Sequence, residues 1–152
     1  MTLKELIDKL NEDLSREYAH MHFYLHAAAV VTGLHREEYQ ELFMKEAASE
    51  MQHVHEFGKM ILGLGGVPTT TVAEFYSGGG RYTEPFHPRL LIAEALKMES
   101  EVVANYTQRM DEAEELDGEH KVHGRYVHIF LEDQILDSRA AVDQYKEMLK
   151  GM

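Results

Sequence analysis

Residues 43–61 read Phe43-Met44-Lys45-Glu46-Ala47-Ala48-Ser49-Glu50-Met51-Gln52-His53-Val54-His55-Glu56-Phe57-Gly58-Lys59-Met60-Ile61. Phe43, Ala47, Val54, Phe57 and Ile61 return at steps of three and four, the period of a helix with one apolar side. Glu50 falls on that stripe, between Ala47 and Val54, and His53 follows it one turn later. A carboxylate on a buried stripe costs several kcal/mol unless it is paired or bound to a metal. The stretch therefore predicts both a buried helix and a site on it.

Working outward, this helix starts near Arg36 and reaches Gly63, where Gly65-Gly66-Val67-Pro68 stops it. Before it, Thr2 and Glu5 form a capping box, and Leu3, Ile7, Leu10, Leu14, Met21, Tyr24 and Ala28 carry a first helix to about Thr32, with Gly33 as its break. Two helices of similar length predict a hairpin. Residues 69–87 hold Ser77-Gly78-Gly79-Gly80 and Pro85 with weak periodicity, which predicts a crossover connection. Pro88 suits the first position of a third helix, striped by Ile92, Leu96, Val103 and Tyr106 and lasting to about Glu115. Asp117-Gly118 breaks it. A fourth stripe, Val127, Phe130, Ala141 and Met148 with Leu131, Ile135, Val142 and Leu149 beside it, runs almost to Met152. Nothing reads as a strand. The prediction is one all-α domain over residues 1–152, an antiparallel four-helix bundle with one long crossover connection.

Each stripe is interrupted near its middle. Glu17 lies between Leu14 and Met21, Glu99 between Leu96 and Val103, and Gln134 and Asp137 between Phe130 and Ala141. Antiparallel packing puts these residues and Glu50 at about one level. Two divalent ions roughly 3.5–4 Å apart need a bridging carboxylate to offset their repulsion, and Glu50 is the natural bridge. A neutral His53 imidazole completes one ion's ligand set. The other histidines, His20, His22, His26, His35, His55, His87, His120, His123 and His128, are read as surface or capped groups.

Composition narrows the function further. With 27 Asp plus Glu against 15 Lys plus Arg, a charge of -12 repels phosphate backbones and anionic lipids, so neither nucleic acid nor membrane is an expected partner. Residues 18–35 lack Asp, Glu, Lys and Arg but carry four histidines, which suits a buried helix better than a membrane span. No cysteine is present, so thiolate metal sites and thiol catalysis are excluded, and oxygen and nitrogen ligands favour iron or manganese. The start lacks the order of a signal peptide, and a cytoplasmic location is the expectation.

Glu17, Tyr24, Glu50-Met51-Gln52-His53, Glu99 and Gln134-Ile135-Leu136-Asp137 resemble the ligand set of bacterial non-haem ferritins, over nearly the whole chain. The resemblance implies a cytoplasmic ferroxidase that stores and detoxifies iron. It would oxidise Fe(II) with O2 or H2O2 and deposit Fe(III) mineral in an oligomeric shell. It also implies two irons per subunit, one held by Glu17, Glu50 and His53, the other by Glu50 and Glu99 with Gln134 beside it. Tyr24 matches the tyrosine close to that centre, and Asp137 stands where a third-site glutamate is usual. Met51 matches the haem-binding methionine of bacterioferritins, which makes it the haem candidate, although non-haem ferritins often carry a methionine there. The second Glu-x-x-His of bacterioferritins is missing: Glu132 is followed at i+3 by Ile135, and no histidine follows His128.

The resemblance implies a homo-oligomer of about 24 subunits, or about 12 if the lack of a fifth helix favours the smaller shell. Other readings stay open. They are a haem-bearing bacterioferritin, a di-iron or di-manganese bundle enzyme that keeps its metals as cofactor, and a metal-free helical interaction protein.

Overall fold

The computed structural model describes residues 1–73 and 86–152. The glycine run and Pro85 of the expected crossover lie outside them. Among the described residues there are four long helices and no strand. They are α1 (Leu3–Val30), α2 (Arg36–Gly63), α3 (Pro88–Glu114) and α4 (Lys121–Lys150), with a short 3-10 turn at Gly118–His120. None is long and apolar enough to cross a membrane. The chain divides into two compact units, one of residues 10–91 and one of residues 1–9 with 92–152.

The helix ends follow local chemistry. The Glu5 backbone N–H donates to Thr2 Oγ1 while the Thr2 N–H donates to Glu5 Oε2, so two N–H groups without helical partners are satisfied at the start of α1. At the end of α2 the Gly66 N–H reaches Ile61 O and the Gly65 N–H reaches Leu62 O, each at 3.0 Å. Gly65 sits there at φ +90°, a conformation cheap only for glycine. Pro88 opens α3, and the Arg89 N–H donates to the His87 ring.

In the unit of residues 10–91, α1 and α2 form an antiparallel hairpin. The Tyr24 and Phe43 rings lie 6.3 Å apart and Gln40 donates to Ala28 O near the turn. At the far end Asn11 binds Val67 O and accepts from the Thr69 N–H. Arg36 donates to Val31 O and Ala29 O, capping carbonyls that α1 leaves unpaired. The buried apolar residues include Leu10, Leu14, Phe23, Ala27, Val31, Phe43, Ala47, Phe57, Met60 and Ile61. Each of the larger ones contributes about 1.5–3 kcal/mol by leaving water.

In the other unit, α3 and α4 turn back on each other across Gly118, which sits at φ +62°. His128 on α4 lies 2.9 Å from Glu114 at the end of α3. Gly124 passes so close to α3 that an added Cβ would collide with Ala113 O.

The buried sides differ from the expected stripes on every helix, Val54 on α2 and Phe130, Ile135, Met148 and Leu149 on α4 being only half-buried. On α1 they include Leu6, Leu10, Asp13, Glu17, His20, Tyr24 and Ala27, whereas Leu3, Ile7 and Met21 are only half-buried. Leu96 and Val103 on α3 are half-buried, with Ala95, Met98 and Val102 buried instead. On α4 Ser138, not Asp137, takes the buried place after Gln134.

Candidate metal centre

Glu17 on α1 and Glu50 and His53 on α2 converge. One ligand atom of each lies within 4.8 Å of the others. His53 Nδ1 is 3.4 Å from Glu50 Oε2 and 3.8 Å from Glu17 Oε2. The i,i+3 spacing puts Glu50 and His53 on one side of α2. The hairpin register set by Tyr24 with Phe43 and by Gln40 with Ala28 brings Glu17 level with Glu50.

The three groups are 2%, 3% and 7% exposed, so water does little to screen them. Burial alone favours a neutral His53 ring, but the Glu17 and Glu50 carboxyl groups beside it outweigh that and push the ring up to about 11. Burial likewise favours a neutral Glu17. The neighbouring Glu50 and His53 side chains, with the charges of His20 and His53, prevail there and bring it down to about 2. A protonated imidazole thus offsets the buried Glu17 carboxylate. A divalent cation would take over that task with twice the charge, once the proton has left. Two carboxylates and an imidazole, with no sulfur, suit iron or manganese.

The other predicted residues lie as follows. Glu99 on α3 and Gln134 on α4 are both buried at 3% exposure. Gln134 Oε1 has no hydrogen-bond partner among the described residues, which costs about 1–3 kcal/mol and suits the oxygen to a cation. Asp137, expected beside Gln134 on the buried stripe, is exposed: in α4 the buried side steps four residues from Gln134 to Ser138, and Asp137 falls off it. Tyr24 is fully buried, edge-on to Phe23 with ring centroids 5.2 Å apart. Met51 is 61% exposed and lines an open groove with Tyr18, Val54, His55 and Leu62.

On α1 two buried polar residues escaped the sequence reading. His22, His35, His55 and His87 are exposed as expected, but His20 is buried one turn beyond Glu17. Asp13, one turn before Glu17, is wholly buried and pairs with Arg16 at 3.0 Å. Leu6, Leu10, Tyr24 and Ala27 mark the same side and were the available signal.

A family model described as a ferritin-like domain matches residues 7–150. None of the curated proteins matches the sequence. A ferritin-like di-iron carboxylate protein from Bacillus anthracis strain Ames superposes with a TM-score of 0.80 at 29% identity, covering 98% of this chain and 99% of its own. A dodecameric thioferritin, the bacterioferritin-related protein of Bacteroides fragilis, gives 0.67 at 21% identity, with 100% and 92% covered. The bacterioferritin of Mycobacterium tuberculosis gives 0.77 at 19% identity, with 97% and 86% covered. The fold shared with these structures is the ferritin-like helical bundle.

Proposed function

The chain belongs to the ferritin family, and from that premise we propose that it oxidises Fe(II) at the Glu17, Glu50 and His53 centre and stores the ferric product as mineral. One observation carries the reading: two carboxylates and an imidazole, all buried, meet within 4.8 Å on two helices. A metal-free interaction protein has no use for that arrangement, since an exposed or apolar seam would be more stable.

Fe(II) and the oxidant, O2 or H2O2, are the substrates. Two Fe(II) give one electron each to O2, which takes up two protons and leaves as H2O2; with H2O2 as oxidant the product is water. Glu17, Glu50 and His53 would hold one ion, Glu50 being the carboxylate able to bridge to a second, and Glu99 and Gln134, buried in the other unit, are the further ligand candidates. Carboxylates bind Fe(III) more strongly than Fe(II), which lowers the barrier to losing the electron. Tyr24, buried two turns beyond Glu17, supplies a phenol near the centre. Asp137, being exposed, stays outside this set, and the exposed Met51 is not needed by it.

A single chain of this size cannot enclose mineral, so storage requires a closed homo-oligomer, of the kind reported for the dodecameric relative. Residues 1–152 act in it as one domain. The net charge of -12 favours approach of Fe(II). The test is anaerobic Fe(II) loading of the metal-free protein, then oxidation followed by ferric absorbance, with light scattering for the assembly. Rapid oxidation at two irons per chain and a closed oligomer are expected. Oxidation no faster than in buffer, or a monomer at micromolar concentration, would overturn the reading.

A further inference from the structure

The hairpin carries one pattern twice. On α1 an acid, a glutamate and a histidine stand at Asp13, Glu17 and His20; on α2 the same order stands at Glu46, Glu50 and His53. Asp13, Glu17, His20, Glu50 and His53 are buried and Glu46 is half-buried. In an antiparallel pair with Glu17 level with Glu50, the two histidines fall one turn away on opposite sides of that level. His53 lies toward Leu14, and His20 lies toward Ala47. Helical side chains lean toward the N-terminus of their own helix, so each imidazole is tilted back toward the glutamate three residues before it.

We propose that His20 is a ligand of the second metal ion, so that the α1–α2 hairpin supplies an imidazole to each of two ions sharing Glu17 and Glu50. This rests on the reading of Glu17, Glu50 and His53 as a metal centre and extends it to a residue outside that set. The charge of His20 already acts on the Glu17 carboxylate, helping to hold it ionised. A purely packing role fits poorly: an apolar residue would fill this place without the cost of burying an imidazole.

The experiment uses the assembled protein and Co(II), which air does not oxidise. In crystals soaked with Co(II), anomalous scattering at the cobalt edge should show two sites, one within about 2.1 Å of a His53 ring nitrogen and one as close to a His20 nitrogen. In solution, calorimetric titration of His20→Asn should weaken one of two sites by about tenfold or more and leave the other unchanged, while His53→Asn should do the converse. A cobalt ion at His53 with His20 beyond bonding distance would overturn this inference and leave the proposed function standing. No cobalt at Glu50 or His53 would overturn both. Should His20→Asn fail to fold by circular dichroism, the wild-type crystals decide alone.

Discussion

His53 Nδ1 lies 3.4 Å from Glu50 Oε2 within one turn of α2, close enough for the carboxylate to keep the ring charged in the metal-free protein. A metal cannot bind a nitrogen that holds a proton, so metal entry must expel it. With the ring raised to about 11, the expulsion occurs throughout the neutral range. Zn(II), which has no redox chemistry, should release about one proton per chain at pH 7 in a pH-stat, and its affinity should rise with pH up to about 11. Metal uptake without proton release at pH 7 would contradict the charged ring.

The same charges set a stability profile for the metal-free protein. Glu17 is lowered from its ordinary 4.5 to about 2, so its contribution is complete above 4.5 and is lost as pH falls toward 2. His53 is raised from 6.5 to about 11, so its contribution is complete below 6.5 and is lost as pH rises toward 11. Thermal melts of the metal-free protein should therefore peak between about pH 4.5 and 6.5. Glu17→Gln should flatten the acid limb, and bound Zn(II) should remove the alkaline one. An unchanged acid limb in Glu17→Gln would show that other groups set it.

Much of this arrangement was legible in the sequence because it is written in local chemistry. The Thr2 and Glu5 box, Pro88 and the glycine at position 65 bound the helices by rules that act within a few residues. Glu17, Glu50 and His53 were legible because a charge stands out against Leu14, Ala47 and Val54. His20 and Asp13 were not, since apolar patterning cannot place a buried side that is itself polar, and on α1 it drew the stripe through Ile7 and Met21 instead of Leu6 and Ala27. On α4 steps of three and four are both allowed, and only packing chose Ser138 over Asp137.

Glu50→Ala removes the proposed bridge and leaves Glu17 and His53 without their shared neighbour. Fast Fe(II) oxidation should fall by about 10^2-fold or more, the scale of losing a charged group that stabilises the reacting centre. His35 is well exposed, and His35→Ala should oxidise at the wild-type rate. Stopped-flow absorbance after mixing Fe(II) with O2 compares the three proteins. A wild-type rate in Glu50→Ala would remove Glu50 from the centre.

Gly124 and Gly63 separate close packing from helix propensity. A methyl at 124 meets Ala113 O, so Gly124→Ala must push α3 and α4 apart and should destabilise by about 1–3 kcal/mol. Gly63, the last residue of α2, has open space around it, so Gly63→Ala should be neutral or stabilising by up to about 1 kcal/mol. Urea midpoints give both values. Equal effects at the two sites would mean that the close approach at Gly124 is not maintained in solution.

Whether iron passes through the centre or stays there turns on charge. In the proposed centre α2 supplies the carboxylate of Glu50, whereas the buried candidate on α4, Gln134, is a neutral amide. An amide oxygen cannot offset the added charge of a ferric ion as a carboxylate does, and a neutral imidazole adds no negative charge either. The second iron should therefore be held loosely once oxidised and move on. Storage requires that release, and an enzyme that keeps its metals as cofactor does not. The metal-free protein is loaded with two Fe(II) per chain and oxidised, then given two more while the fast phase is followed. Recovery of the fast phase as mineral grows is expected, and Gln134→Glu, which adds the missing charge, should slow that recovery. A site that stays occupied and silent in the wild type, with no mineral, would favour the retained cofactor.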